Sequence, residues 1–299
     1  MVDLRTLETF YLVAQTGGFH RAAEKLHTTQ PAVSARIAQL EQELRVRLFE
    51  RDKRGSHLTS KGRELLRYVE RMIALRTELV LAVAGQPSLS GTVHLGVSDT
   101  IVHTWLPALL KRISQEYPAI TLEIDVDASS HLTVALLDNT IDVALLMGPV
   151  NAGNVINSPL CSYPIDWIVP SNFQAGHEPI ALADLARFPI ITFARQTRPY
   201  FELKELFHAG GFDEVRLFAN SSLSSIVRMT LDGLGVAAIP KEVVAEHLAK
   251  GELRVLRSEE PMPVMSFTAS YIQRPDMPLN AVVADLAQEV AADYQRQGT

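Results

Sequence analysis

The sequence predicts an all-α unit at the N-terminus, then one long helix, then a larger α/β body. In the first forty or so residues, apolar side chains recur at helical spacing, and the same spacing runs without a break over residues 60–84. From Thr92 onward, short apolar runs alternate with amphipathic stretches, which is the pattern of strands alternating with helices. A segment with Gly, Pro and Ser separates the long helix from this body. The predicted domains are residues 1–59, 60–90 and 91–299.

The bulk composition indicates an ordinary globular protein. Hydrophobic residues make up 47% of the chain and charged residues 21%. We find no run of about 18 apolar residues, which a membrane span would need, and no basic-then-apolar signal segment in the first residues. Cys161 is the single cysteine, so an internal disulfide is impossible. We therefore expect a cytoplasmic protein with no membrane association.

The formal net charge of −6 is unevenly distributed. Residues 1–90 hold 14 Lys and Arg against 10 Asp and Glu, whereas residues 91–299 hold 14 against 24. A basic head therefore precedes an acidic body. Because salt screens charges beyond roughly 10 Å, the acidic body does not prevent the head from attracting phosphates.

The first unit is expected to contain three helices. Gly17 and Gly18 end the first of them, and a second is expected over residues 19–27. Thr28 and Thr29 are candidates for the N-cap of the third helix. The buried stripe of that third helix is expected to consist of Val33, Ile37 and Leu40. A three-helix unit this small typically lays its last helix in the major groove of DNA.

Two features connect this unit to the body. Residues 44–59 contain Arg51, Lys53, Arg54 and a glycine, which we interpret as a short hairpin wing. The helix predicted over residues 60–84 has an apolar face wider than one tertiary contact needs. We interpret it as a dimer-forming connector, the alternative being a helix packed on its own body.

The body is expected to be α/β with mostly parallel sheets. Strands are predicted over residues 93–97, 120–126, 141–147, 165–170, 189–193, 214–218, 235–240 and 265–273. Helices are predicted over residues 105–117, 130–138, 200–209, 223–232, 241–249 and 279–294.

The run from Ala22 to Gly62 closely resembles the LysR-type transcriptional regulators, with gapless spacing from Leu4. The resemblance implies a winged helix-turn-helix, a dimerising linker helix and an effector domain similar to periplasmic binding proteins. Such a domain has two α/β lobes joined by crossover strands, here expected near residues 162–165 and 265–268. Lobe one would be 91–162 with 269–299, and lobe two 163–268. The family also implies a homodimer that pairs into a homotetramer, and contact with RNA polymerase during activation.

The resemblance also indicates which residues contact double-stranded DNA. Gln30, Pro31 and Ser34 match the family's base-facing positions, and the start of a recognition helix is where side chains reach base edges. Arg54 matches the wing residue that enters the minor groove. Ala35 stands where the family often has arginine, so we do not expect the usual arginine base contact at that position. For each arginine of the head, the alternative to a DNA contact is a solvated surface charge. The candidates are Thr28, Thr29, Gln30, Pro31, Ser34, Arg36, Arg51, Lys53 and Arg54.

Hydroxyl-rich segments follow three strands of the body, each opening a helix. Ligands of α/β sheets bind beyond the carboxyl ends of strands, and helix N-termini favour anions. We therefore predict a site for a small carboxylate or other small anion, although each hydroxyl is otherwise an ordinary helix cap. The candidates are Ser98, Asp99, Thr100, Ser129, Ser130, Gly148, Phe193, Arg195, Asn220 and Ser221. His103 and His131 lie near the same predicted cleft.

Other classes of function are less well supported by the sequence. It shows no cluster with metal-ligand spacing, no nucleophile motif and no phosphate-binding or dinucleotide-binding glycine pattern, so we expect neither an enzyme nor a cofactor. An enzyme on the same two-lobed fold is one alternative. A regulator that senses redox state through Cys161, by sulfenic acid or an intermolecular disulfide, is another.

Overall fold

The computed structural model describes residues 3–26, 28–52, 55–84, 89–274 and 277–297. The chain divides into two compact units. The first comprises Met1–Ser88 with Arg274–Pro278, and the second comprises Leu89–Gln273 with Leu279–Thr299. Among the described residues, no helix is both long and apolar enough to cross a membrane.

Three helices open the first unit, namely α1 (Leu4–Thr16), α2 (Phe19–Lys25) and α3 (Gln30–Leu44). The Thr6 N–H donates to the Asp3 side chain at 2.6 Å, which caps the start of α1. Gly17 closes α1 with φ at 65°, a left-handed conformation that glycine adopts without steric cost. The second helix ends at Lys25, and His27 lies outside the described residues.

The core of the first unit contains the predicted stripe of α3. Val33, Ile37 and Leu40 are all buried there. The ring of Phe49 lies 5.4 Å from that of Phe10 and 5.5 Å from that of Phe19, measured between centroids. Each such apolar side chain contributes about 1.5–3 kcal/mol when buried, so this small unit has its own stable core.

The wing and the long helix follow α3. Strands β1 (Phe49–Asp52) and β2 (Gly55–Leu58) pair antiparallel, and helix α4 spans Ser60–Ala84, as the sequence predicts. A Cβ atom on Gly62 would lie 2.2 Å from the carbonyl oxygen of Leu48. Glycine at this position therefore lets the start of α4 approach the segment before the wing.

The second unit contains two five-stranded sheets. Its strands are β3 (Gly91–Val97), β4 (Ile120–Val126), β5 (Val143–Met147), β6 (Val155–Pro164), β7 (Asp166–Pro170), β8 (Ile190–Phe193), β9 (Leu217–Asn220), β10 (Val236–Ile239), β11 (Leu253–Leu256) and β12 (Val264–Ile272). Its helices are α5 (Asp99–Val102), α6 (Leu106–Glu116), α7 (Ser129–Leu137), α8 (Leu182–Leu185), α9 (Arg198–Ala209), α10 (Leu223–Leu231), α11 (Ala245–Ala249) and α12 (Pro278–Gln297).

Each sheet defines one lobe. Lobe one has the strand order β4-β3-β5-β12-β6, and lobe two has β11-β7-β10-β8-β9. The expectation of mostly parallel sheets is wrong for half of the described pairings. Strands β12, β6, β7 and β11 all run antiparallel to their neighbours. The parallel pairings join β4, β3 and β5 in lobe one, and β9, β8 and β10 in lobe two.

The long pairing of β6 with β12 moves the expected lobe boundaries. Val264 pairs with Pro164 and Ile272 with Val155, so β12 lies in the sheet of lobe one over its whole length. Residues 265–268 therefore belong to lobe one rather than lobe two. The chain crosses between lobes just beyond these strands, where the Ile165 N–H donates to the Pro263 carbonyl at 2.9 Å.

Smaller differences concern the ends of elements. The strand predicted over residues 214–218 runs from Leu217 to Asn220, because its parallel pairing with β8 extends to Phe193 and Asn220. The helix predicted over residues 241–249 begins as a 3-10 segment, Lys241–Val244. The sequence reading missed the strands β6 and β11 and the short helices α5 and α8.

Candidate functional site

Polar side chains are accessible at the start of α3, whereas Val33, Ile37 and Leu40 further along the helix are buried. Gln30 and Pro31 are exposed, and Ser34 and Arg36 are half-buried. Thr29 occupies the N-cap position, but its side chain makes no capping hydrogen bond within the described residues. The expected hydroxyl cap is therefore absent there, and the first N–H groups of α3 face outward with the positive end of the helix dipole.

The remaining head candidates divide into two groups. The Thr28 N–H donates to the Ala23 carbonyl at 3.0 Å, so Thr28 belongs to the turn between α2 and α3. Arg51 lies on β1, and nothing of its side chain is described. Lys53 and Arg54 lie outside the described residues, so their predicted groove contacts stay predictions.

A groove with a volume of about 940 Å³ lies between α3 and the wing. Ser34 and Ala38 line its α3 side, and Arg47, His57 and Arg63 line the other. The Arg63 guanidinium donates to the Leu58 carbonyl at 2.7 Å, which holds it beside the wing. Sequence reasoning missed these three basic residues. The signal was their position, since Arg47 and His57 lie within the predicted hairpin and Arg63 shortly after it.

Glu41 fixes the wing on α3, a role that the sequence reading also missed. Its Oε1 atom accepts the N–H of Leu48 at 2.6 Å and the N–H of Phe49 at 3.2 Å. One carboxylate on the recognition helix thus satisfies two backbone donors at the entrance to β1. The position of the wing relative to α3 depends on this side chain.

Ser98 lies just before α5, at the carboxyl end of β3, as predicted. It is 6% exposed, and its Oγ atom has no hydrogen-bond partner among the described residues. A buried hydroxyl without a partner costs about 1–3 kcal/mol of stability, so such a group calls for an explanation. Thr100, also a predicted site residue, is buried as well, at 3% exposure.

Asp99 joins the two lobes. Its Oδ2 atom accepts the N–H of Leu223, the first residue of α10, at 2.7 Å. The Nε2 atom of His103 lies 3.6 Å from Oδ1 of the same carboxylate and 3.3 Å from the Oγ atom of Ser224. A carboxylate from lobe one thus occupies the helix N-terminus of lobe two. His103 and Ser224 were outside the predicted site residues.

Several other predicted cleft residues are engaged locally. The Met147 N–H donates to the Oγ atom of Ser129 at 2.9 Å, which ties α7 to the end of β5. The Ser222 N–H donates to Oδ1 of Asn220 at 2.9 Å, and Ser222 is the N-cap residue of α10. Ser130 and Ser221 are exposed. Of these four predicted residues, Ser129 and Asn220 thus have side chains that already accept a backbone N–H.

Gly148 lies against β12. A Cβ atom there would be 2.1 Å from the Oγ1 atom of Thr268, so a larger residue would force the Thr268 side chain to move. Thr268 contacts the Ser270 hydroxyl at 2.9 Å, and that hydroxyl donates to Oδ1 of Asn157 at 2.7 Å. This buried polar row was not predicted, because its members lie on two different strands.

Phe193 and Arg195, both predicted to line the effector cleft, lie in different places. Phe193 is half-buried at the carboxyl end of β8, near the predicted cleft. Arg195 instead lines a cavity formed by α9 and the amino end of β9, together with Tyr200 and Leu217. Since successive residues of a strand are about 3.3 Å apart, this cavity lies roughly 10 Å from the carboxyl end of β9.

Cys161 is 7% exposed, and burial raises the pKa of its thiol. A raised pKa keeps the thiol protonated at neutral pH, where only the thiolate reacts readily with oxidants. The geometry of Cys161 therefore gives no support to a redox switch. In the part of the chain that the structure describes, no group of His, Cys, Asp and Glu could hold a metal ion.

A winged helix-turn-helix unit joined to a two-lobed α/β unit defines a class of DNA-binding transcriptional regulators with an effector domain. The chain belongs to the LysR family of these regulators. The family description "Bacterial regulatory helix-turn-helix protein, lysR family" matches residues 4–63, and "LysR substrate binding domain" matches residues 86–295. The resemblance stated from the sequence is thereby confirmed. The family is one of regulators rather than of enzymes.

Similar proteins agree with this assignment. An HTH-type transcriptional regulator SoxR from Arthrobacter sp. is 25% identical over 275 residues, covering 92% of each chain. The structure of a full-length OxyR variant from Pseudomonas aeruginosa is 23% identical, covers 97% of this chain and 100% of that one, and has a TM-score of 0.59. Full-length CbnR complexed with its target DNA is 21% identical, covers 96% and 100%, and has a TM-score of 0.52. At these identities the solved structures show the fold.

Proposed function

We propose that this regulator reads its promoter with the start of α3 and changes its DNA affinity when a small carboxylate or similar anion binds between the two lobes. The observation that carries the DNA-binding part is the exposure of Gln30 and Pro31 at the start of α3, a helix that Val33 and Ile37 anchor in the core of the head. The observation that carries the effector part is the buried hydroxyl of Ser98, which has no hydrogen-bond partner in the described part of the chain.

The chemistry of the α3 surface suits base recognition. A glutamine side chain pairs with the N6 and N7 edge of adenine, and the methylenes of Pro31 suit the methyl group of thymine. Ser34, the N–H groups at the start of α3, and Arg36, Arg47 and Arg63 would hold phosphates. CbnR, which shares this fold, is solved with its target DNA, and this supports the same use here.

The effector proposal rests on two neighbouring features of the cleft. Asp99 demonstrates within the molecule that the N-terminus of α10 accepts a carboxylate, at 2.7 Å from the Leu223 N–H. An effector carboxylate would take the place of Asp99 at this N–H and hydrogen-bond with the Ser98 hydroxyl. Because the Asp99–Leu223 bond joins the lobes, its replacement would change the lobe arrangement that the DNA-binding unit senses.

The proposal for the oligomeric assembly rests on the exposed apolar face of α4. Its exposed side includes Tyr68, Met72, Leu75 and Leu79, which recur every three or four residues and so form one apolar face. We propose that two copies pair along this face and that dimers associate further into a homotetramer. A dimer implies two DNA half-sites separated by about one helical turn or a multiple of it. Contact with RNA polymerase during activation and a cytoplasmic location belong to the same proposal.

The function is tested by gel-shift titration of the full-length protein against upstream genomic fragments, at fixed salt, with and without small carboxylates. We expect preferential binding to at least one fragment, and an anion that raises the melting temperature should also shift that affinity. If no fragment were preferred, the promoter-reading proposal would fail. If fragments were preferred but no anion acted, only the effector part would fail.

A further inference from the structure

Lobe two contains a cavity that the predicted effector cleft does not include. It has a volume of about 190 Å³ and lies between α9 and the loop and strand that follow it. The lining residues are Arg195, Tyr200, Lys204, Phe207, His208, Phe212, Asp213, Val215 and Leu217. All of them belong to lobe two, so the cavity is complete within one lobe of one chain.

The base of the cavity is apolar and rigidly supported. Phe207 is 1% exposed, and its ring packs edge-on against the buried ring of Trp167, with centroids 6.0 Å apart. Phe212, Val215 and Leu217 are half-buried around it. Cavities of about 150 Å³ lined by such side chains hold a benzene molecule. The present volume therefore fits one aromatic ring with one small substituent.

The rim of the cavity is cationic. Lys204 and Arg195 are both exposed there, and neither forms an ion pair with any described residue. Of the acids near it, Glu202 pairs with Arg198 at 2.6 Å, and Asp213, which also lines the cavity, lies against His208. The cavity therefore combines an apolar base with two cations that lack an ion-pair partner among the described residues, although the body as a whole is acidic. Such a rim favours an anionic group on the ligand.

We propose that this cavity is a second ligand site that takes small monocyclic aromatic carboxylates. The ring would lie against Phe207 and Phe212, and the carboxylate would pair with Lys204 and Arg195 at the rim. The hydroxyl of Tyr200 supplies a further hydrogen-bond donor. The site is independent of the interlobe effector, because it uses neither Ser98 nor the N-terminus of α10.

The test is calorimetric titration of the full-length protein with benzoate, the simplest member of this class. We expect binding that weakens roughly tenfold or more in the double variant Arg195→Ala, Lys204→Ala, since charge-assisted hydrogen bonds are lost. Val215→Phe, which fills the cavity, should abolish this binding. The matched control is Lys250→Ala, an exposed lysine of lobe two outside the cavity, which should bind benzoate like the unmodified protein.

Two further measurements make the result decisive. Benzyl alcohol, which lacks the charge, should bind at least tenfold more weakly than benzoate. Ser98→Ala should leave the benzoate affinity of the cavity unchanged. Absence of benzoate binding at millimolar concentration, or binding that survives both cavity variants and is lost in Ser98→Ala, would overturn the proposal. Circular dichroism of each variant tests whether the fold is retained. Promoter binding of the unmodified protein is measured separately, so that failure of this proposal is distinguished from failure of the proposed function.

Discussion

At the scale of single residues, Glu41 shows how one side chain places a functional element. Removing its carboxylate leaves the N–H groups of Leu48 and Phe49 without their acceptor at the entrance to the wing. We expect Glu41→Ala to lower the free energy of unfolding of the head by about 1–3 kcal/mol. Urea denaturation measures the change. Glu43→Ala, on the exposed side of the same helix, is the control, and an equal loss in both variants would contradict the assigned role.

Gln30 provides the second prediction at this scale. If it reads a base, Gln30→Ala should lose about 1–3 kcal/mol of discrimination at one base pair. Competition gel shifts against single-base variants of a preferred fragment measure this. Gln39 lies nine residues further along α3, half a helical rotation away, so Gln39→Ala is a matched control. Unchanged discrimination in Gln30→Ala, or equal losses in both variants, would rule out a specific contact.

At the scale of elements, the N-terminus of α10 depends on a residue of the other lobe. Asp99→Ala removes the acceptor of the Leu223 N–H and also the intramolecular competitor for an anion. We expect a lower melting temperature without ligand and several-fold tighter binding of those small carboxylates that stabilise the unmodified protein. Thermal shift and calorimetry measure the two effects. Asp125→Ala, an exposed acid of the same lobe, controls for the lost charge, and weaker carboxylate binding in Asp99→Ala would exclude competition.

At the scale of the whole molecule, the apolar face of α4 makes a prediction about assembly. Leu75 and Leu79 are 64% and 61% exposed, so charged residues there leave the core of the head intact. The double variant Leu75→Glu, Leu79→Glu should sediment as a smaller species and bind DNA with a shallower salt dependence, because fewer phosphates are contacted at once. Analytical ultracentrifugation and salt titrations measure both. A variant that kept the native mass would show that α4 is not the dimer contact.

The head could be predicted almost completely from the sequence, because its signals are local. The stripe of Val33, Ile37 and Leu40 repeats at helical spacing within one element, and glycines mark the turn before α2. The wing contact of Glu41 was not predictable in this way. Its partners lie beyond the end of the helix, and only the folded turn brings them to its carboxylate.

In the body, the positions of strands were easier to predict from the sequence than the way in which the strands pair. Most of its strands could be located from short apolar runs, yet the direction of pairing was predicted wrongly for β7 and β12. A run of apolar residues is the same whether its neighbour is parallel or antiparallel. The predicted cleft residues Ser98 and Asp99 do lie at a strand end, but the state of each side chain depends on distant residues. Leu223, which Asp99 contacts, is 124 positions away.

The sequence alone determined the family, the order of the parts and the face of α3 that is buried, since these follow from spacing within single elements and from a long local motif. Only the tertiary structure decided that Asp99 bridges the lobes, that the Ser98 hydroxyl is buried with no partner among the residues described, and that Arg195 lines a separate cavity. The physical reason is that burial, pairing and cavity shape depend on contacts between residues far apart in the chain, which no local pattern records.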